Sequence, residues 1–255
     1  MPGEIVLYET VEKIAIITFN RPQLHNALNR EVNARLIELL NVAEDDDDVK
    51  VVILTGAGEK CFAAGGDVKE MAVLDPLSAR EYALQAKRAV DKLYSLKKPV
   101  IAAINGLCLG GGFEYAMACD FRVASENAKF GQPEINLGVM PGSCGTQRLP
   151  RLIGMGMAKE LIFTGSMIDA KRAFELGIIN HIFPEKTLRA QSIALASGIA
   201  LKSPAAISLI KTAMNKGLEM NIESGFALEI SCFGLCFATD EQKKAMDKFI
   251  NKTKS

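Results

Sequence analysis

Two glycine-rich segments, Cys61-Phe-Ala-Ala-Gly-Gly-Asp67 and Asn105-Gly-Leu-Cys-Leu-Gly-Gly-Gly-Phe-Glu114, each follow a short apolar run. A loop that leaves a strand and opens a helix presents backbone N–H groups with no intrahelical acceptor, and glycine lets that backbone approach a ligand closely. Two such N–H groups aimed at one point form an oxyanion hole. Glycines alone read equally well as tight strand-to-helix turns. A nucleotide loop fits less well, because the chain has no G-x-x-x-x-G-K-[ST] and Gly56 and Gly58 lack the third glycine of G-x-G-x-x-G. Glu114 lies three residues after Gly111, on the first turn of the helix the glycines open, and residues i and i+3 share a helix face. Glu134 sits in a loop between Pro133 and the apolar Ile135, an unusual place for a solvating charge. Taken singly, each glutamate reads as a surface residue. What the pair can do depends on the elements that bring it together.

Those elements are legible as apolar periodicities. Residues 4–8 and 14–19 read as two paired strands, and 50–55 and 100–104 as buried strands. Asn29 caps a helix expected over 30–44, with Val32, Leu36, Leu39, Leu40 and Ala43 at helical spacing. The run from Asp45 to Asp48 reads as a solvated turn. Residues 56–66 read as loop, 67–96 as mainly helical with a break near Pro76, 110–117 as a short helix, 120–124 as a strand and 131–143 as loop. Beyond 144 the pattern is mostly helical, apart from a strand at 178–183, and Pro204 starts a new helix. Strands alternating with helices and then a helical tail predict an α/β core over 1–199 and a helical region over 200–255.

Composition removes several function classes. Lys plus Arg and Asp plus Glu number 30 each, so no net charge draws the chain to nucleic acid or an anionic membrane. The helix expected at 30–44 carries only Arg30 and Arg35 as basic residues, which argues against RNA binding. The longest informative uncharged run, between Lys98 and Glu114, has 15 residues, short of the ~20 a membrane helix needs. The opening MPGEIVLYET lacks the pattern of a signal peptide. Six cysteines without a C-x-x-C pair and only His25 and His181 do not suggest a metal site. Buried free thiols in a cytoplasmic protein are the expectation.

Several segments together resemble the crotonase (enoyl-CoA hydratase/isomerase) family. They are Asn20-Arg-Pro with Asn26-Ala-Leu-Asn29, Phe62-Ala-Ala-Gly-Gly-Asp-Val-Lys-Glu-Met71, Lys98-Pro-Val-Ile-Ala-Ala-Ile-Asn-Gly106, Gly110-Gly-Gly-Phe-Glu114, and Phe130-Gly-Gln-Pro-Glu134. Gly142-x-x-Gly-Thr-Gln-Arg-Leu149 and Phe237-Ala-Thr-Asp240 through Phe249 extend the likeness over nearly the whole chain. Gly154-Met-Gly-Met-Ala-Lys159 and Phe233-Gly-x-Cys-Phe237 are similar to short-chain members.

The resemblance implies a crotonase-like α/β spiral of ββα units, with a C-terminal helical region that builds a homotrimer or a dimer of trimers. It implies an acyl-CoA substrate and no separate cofactor or metal, since coenzyme A arrives with the substrate. The N–H groups of Gly66 and Gly111 would hold the thioester oxygen. Glu114 would activate water and Glu134 would exchange the proton at C2. Ala64, Gly66, Asp67, Val68, Lys69 and Gly111 would line the substrate and coenzyme A site, with Phe233 and Lys252 supplied to it by a neighbouring subunit. Keeping both glutamates favours hydration over isomerisation, cleavage or dehalogenation of the acyl-CoA; the alternative is another acyl-CoA reaction on the same fold, double-bond isomerisation or hydration of a cyclic dienoyl-CoA. Three positions depart from the family pattern: Gly66, where many hydratases carry Ala, and Phe113 and Cys144. Phe113 and Met140 are expected to reshape the acyl pocket.

Overall fold

A computed structural model describes residues 4–252, with side chains through Asn251. The chain begins with an antiparallel hairpin of β1 (Val6–Val11) and β2 (Ile14–Phe19), followed by helix α1 (Arg30–Asp45). Asn29 starts that helix as expected, its side-chain oxygen accepting from Val32 N at 2.9 Å. Next come β3 (Val51–Gly56), β4 (Cys61–Ala63), the one-turn α2 (Val68–Met71) and α3 (Pro76–Ser95). Asp75 caps α3 through Leu77 N and Ser78 N, and Pro76 takes the first helical position, where its missing N–H costs nothing.

Two further rounds repeat the pattern. The first has β5 (Val100–Ile104), β6 (Leu107–Leu109) and α4 (Gly111–Ala118), and the second β7 (Phe121–Ser125), β8 (Lys129–Gly131) and, after a 3-10 turn at Pro133–Leu137, α5 (Gly145–Ile153). In each round the first strand joins a six-stranded sheet of order β1-β2-β3-β5-β7-β10 and the second a four-stranded sheet of order β4-β6-β8-β9. This is the spiral of ββα units that the resemblance implies. The chain continues through α6 (Met155–Thr164), β9 (Met167–Asp169), α7 (Ala170–Glu175), β10 (His181–Phe183) and α8 (Leu188–Ala200). It ends in α9 (Pro204–Gly217), α10 (Ile222–Cys236) and α11 (Asp240–Lys252).

The uninterrupted apolar runs of β3 and β5 are explained by burial on both faces. Val52, Leu54, Ala102 and Ile104 point into the larger core beneath α1, α3 and α4. The alternating Val51, Ile53, Ile101 and Ala103 pack with Leu188 and Ala196 of α8. Among the described residues no single helix is long and apolar enough to cross a membrane.

The structure corrects the sequence reading in places. The segment 56–66 holds β4, and 131–143 holds the 3-10 turn. Strands β6, β8 and β9 carry no readable period, because three residues are too few to show alternation. The strand expected at 178–183 is confined to His181–Phe183. The tail is tied to the core by Lys211 of α9, whose Nζ lies 2.8 Å from Asp120 Oδ2.

Candidate active site

β4 and β6 run parallel side by side, so the loops leaving them lie next to each other. The position a side chain on Gly111 would take is 3.6 Å from Gly66 N, and that of Gly65 is 3.5 Å from Gly111 N. The first loop is held by bonds that leave the N–H of Gly66 unused among the described residues. Leu28 N donates to Gly65 O and Asp67 N to Leu28 O, both at 2.8 Å. Gly111 is the first residue of α4, so its N–H has no acceptor within the helix. Gly112 must be glycine, since a Cβ there would run into the backbone carbonyl of Ala63. The buried Asn26 braces the first loop from outside, donating to Cys61 O at 2.7 Å and accepting from Arg21 N at 2.9 Å.

Glu114 and Glu134 face the same cavity, of about 800 Å³, that Gly66 and Gly111 line. Glu114 is only 1% exposed. Its Oε1 accepts from Ser143 N at 2.8 Å and Gly145 N at 2.6 Å, which fixes the carboxylate. Burial pushes its pKa up, and these two N–H bonds pull it part of the way back. Glu134 stands in the 3-10 turn, its Oε1 packed 3.0 Å from where a Gly110 side chain would be. Gly110 has φ +52°, which suits glycine. With its amide nitrogen turned toward Glu134, Gln132 donates to both carboxylate oxygens, at 2.8 and 3.1 Å. Burial, with a smaller contribution from the charge of Glu114, raises the Glu134 pKa from 4.5 to about 7. Glu134 thus holds a proton up to near neutral pH, and Glu114, raised by burial as well, is the one gripped by N–H donors. The arrangement can take a proton on one side of a bound molecule and give one on the other, beside two donors for a developing oxyanion.

The other expected residues divide. Ala64, Gly66, Val68 and Gly111 line the cavity. Asp67 and Lys69 do not. Asp67 caps α2 and pairs with Arg21 at 3.1 Å, and Lys69 is exposed on α2. Phe233 is 66% exposed on α10, its ring against Phe237, and lies away from this cavity within the chain. Lys252 ends α11, and its side chain lies outside the described residues. Phe113 does not line the cavity: it is fully buried, edge-on to Phe130 at 5.7 Å, because it faces the core side of α4. Met140 does line the cavity. Cys144 precedes α5 at φ 101°, with its thiol pushed up to about 12 by burial. Sequence reading missed Leu28, Asn33, Met71, Tyr82, Tyr115 and Ser143 as cavity walls. The signal for Ser143 lay in the Gly142-to-Leu149 motif, whose backbone grips Glu114.

The sequence profile of the enoyl-CoA hydratase/isomerase family matches residues 9–255. A short-chain-enoyl-CoA hydratase of Clostridium acetobutylicum is 45% identical over 249 residues, covering 98% of this chain and 95% of the relative. A crotonyl-CoA hydratase of Syntrophomonas wolfei is 42% identical over 255 residues, 100% of this chain and 98% of the relative. The crystal structure of an enoyl-CoA hydratase from Bacillus anthracis superposes with a TM-score of 0.94 at 37% identity, covering 98% of this chain and 97% of that one.

Proposed function

The chain belongs to the enoyl-CoA hydratase/isomerase family, and from that premise we propose that it adds water reversibly across the C2=C3 bond of a trans-2-enoyl-CoA to give a 3-hydroxyacyl-CoA. The observation that carries this reading is the pairing of Glu114 and Glu134 in one cavity beside the N–H groups of Gly66 and Gly111. The thioester oxygen accepts from these two N–H groups, which draws electron density off C3 and stabilises the negative charge that collects on oxygen. Glu114, fixed by Ser143 and Gly145, takes a proton from water as its oxygen bonds to C3. Glu134, whose raised pKa keeps it protonated, gives its proton to C2. The pair exchanges roles in the reverse direction, so the enzyme needs no resident cofactor.

Coenzyme A extends outward past Val68 and the exposed Lys69. In a homotrimer or dimer of trimers, Phe233 and Lys252 of a neighbouring copy reach its adenine and phosphates. The apolar side chains exposed on residues 200–255, among them Ile210, Met214, Phe226, Ile230 and Phe249, support that region as the oligomerisation surface. The same reading makes the protein a cytoplasmic enzyme of fatty acid β-oxidation type.

The test is the ultraviolet absorbance of crotonyl-CoA. Loss of the conjugated enoyl-thioester band is expected with the wild type, and Glu114→Gln and Glu134→Gln should each slow it about 10²–10⁴-fold. Retention of activity in either variant would point instead to an isomerase-type reaction that needs one carboxylate.

A further inference from the structure

The cavity wall away from the glutamates is built of Leu28, Met71, Leu74, Ala83 and Ala86, but polar groups interrupt it. Tyr82 gives its hydroxyl to Leu28 O at 3.0 Å and is satisfied. The second interruption is a pair, Asn33 on α1 and Tyr115 on α4. Asn33 sits on the core face of α1, between Val32 and Leu36, and is only 2% exposed. A carboxamide so placed is costly unless both its ends are bonded. Tyr115 Oη donates to Asn33 Oδ1 at 2.7 Å, which satisfies the oxygen. Asn33 Nδ2 donates to nothing among the described residues. Among the described residues the side-chain atoms both sealed from open space and without a hydrogen bond are Tyr8 Oη and Arg30 Nε, the latter facing Glu70 in an ion pair at 3.2 Å, so Asn33 Nδ2 is not sealed and reaches open space despite the burial of its residue. That space is one of the two voids Asn33 walls: the catalytic cavity, or a groove of about 420 Å³ between α1 and α3.

Resting on the hydratase reading, we propose that Asn33, oriented by Tyr115, is a recognition point for the acyl group, donating a hydrogen bond to an uncharged keto or hydroxyl oxygen carried beyond C3. The cavity of about 800 Å³ takes both the thioester end of coenzyme A, beside Ala64, Gly66 and Val68, and the acyl group, and Asn33 is part of its wall. A plain alkyl tail leaves the amide unpaired in a drying pocket, whereas an acceptor oxygen satisfies it. The unmade bond penalises the wrong substrate, by about tenfold for one neutral hydrogen bond. The oxygen is uncharged because, among the described residues, no lysine or arginine lines the catalytic cavity, and the two arginines of the groove face carboxylates. Arg30 lies 3.2 Å from Glu70, and Arg88 lies 3.6 Å from Glu81.

The experiment compares kcat/KM for trans-2-enoyl-CoAs of equal length, one with a plain alkyl tail and the others with a keto group at successive carbons beyond C3. Wild type should favour the best keto substrate over its alkyl counterpart about tenfold more strongly than Asn33→Leu does, the worth of one neutral hydrogen bond. Asn33→Asp keeps an acceptor for Tyr115 and loses the donor once it ionises, so its keto preference should fall toward that of Asn33→Leu as the assay pH is raised. Thermal melting shows that each variant is folded. An equal keto-to-alkyl ratio in all three proteins overturns the proposal, the amide then being solvated from the α1–α3 groove and serving only to tie α1 to α4. A wild-type preference for the alkyl tail overturns it as well. Failure of the wild type to hydrate any substrate, crotonyl-CoA included, overturns the hydratase reading instead.

Discussion

Replacing Glu134 by Gln should stabilise the protein at the same time as it disables it. Glu134 has an ordinary pKa of 4.5 when unfolded and about 7 in its buried site. The folded pKa is the higher one, so the sign is fixed. Below 4.5 the group is protonated in both states and carries no penalty. Between 4.5 and 7 the unfolded chain loses the proton while the folded one keeps it, and folding weakens as pH rises. Above 7 the penalty is constant. Integrated over that window, the shift corresponds to about 3 kcal/mol against the fold at pH 8, and to under about 1 kcal/mol at pH 5. The larger figure is an upper bound, because water reaches this half-buried carboxyl and the Gln132 amide steadies its charge. Gln at position 134 has no charge to bury, and the Gln132 amide can turn over to accept from it. Urea unfolding of both proteins at pH 5 and pH 8 measures the difference, in which other titrating groups largely cancel. The variant should gain about 1–3 kcal/mol on the wild type at pH 8 and much less at pH 5, while hydration of crotonyl-CoA falls about 10²–10⁴-fold. A gain equal at both pH values, or no gain, would refute the claim that burial raises the pKa of Glu134.

Hydration by the wild type should give a bell-shaped kcat/KM against pH, with activity lost as pH rises through about 7, where Glu134 gives up its proton. The dehydration direction should show the same limbs, because the overall equilibrium releases no proton. Gly66→Ala places a Cβ 2.7 Å from Met71 Sδ and 2.9 Å from Tyr82 Oη. Both side chains line the cavity and must give way, so KM should change along with a stability loss of about 1 kcal/mol, read by substrate titration and melting. Gly112→Ala meets the backbone carbonyl of Ala63, which cannot yield, and should cost more than Gly66→Ala in soluble yield and melting temperature. Phe113→Cys should leave the acyl-length preference unchanged and lower stability by about 2–4 kcal/mol, because this ring packs on Phe130 in the core.

Much of the fold and of the site is legible in local sequence patterns. Asn29 and the apolar stripe behind it specify α1, and the continuous apolar runs specify β3 and β5, because capping and side-chain period act within a few residues. The glycines before Glu114 likewise announce a helix start with free N–H groups and a carboxylate on its first turn. That Glu134 faces the same cavity followed from resemblance, since 20 residues and two strands separate it from Glu114. Four short strands went unread because three residues carry no period and exist only by pairing with distant neighbours.

The side-chain directions needed the tertiary structure for the same reason. Phe113 and Glu114 are adjacent in the chain, yet the helix turns one into the core and the other into the cavity. Asp67 lies in the glycine motif, yet it turns away to Arg21. The grip of Ser143 and Gly145 on Glu114, and the polar pair of Asn33 and Tyr115, join residues far apart in sequence. By itself the sequence determined which backbone could present N–H groups and which carboxylates were available, because those are properties of residue type and local conformation. Only the packing of α1, α4 and the turn after β8 decided which of them meet, how far water is excluded from them, and therefore that burial raises the pKa of both carboxyls.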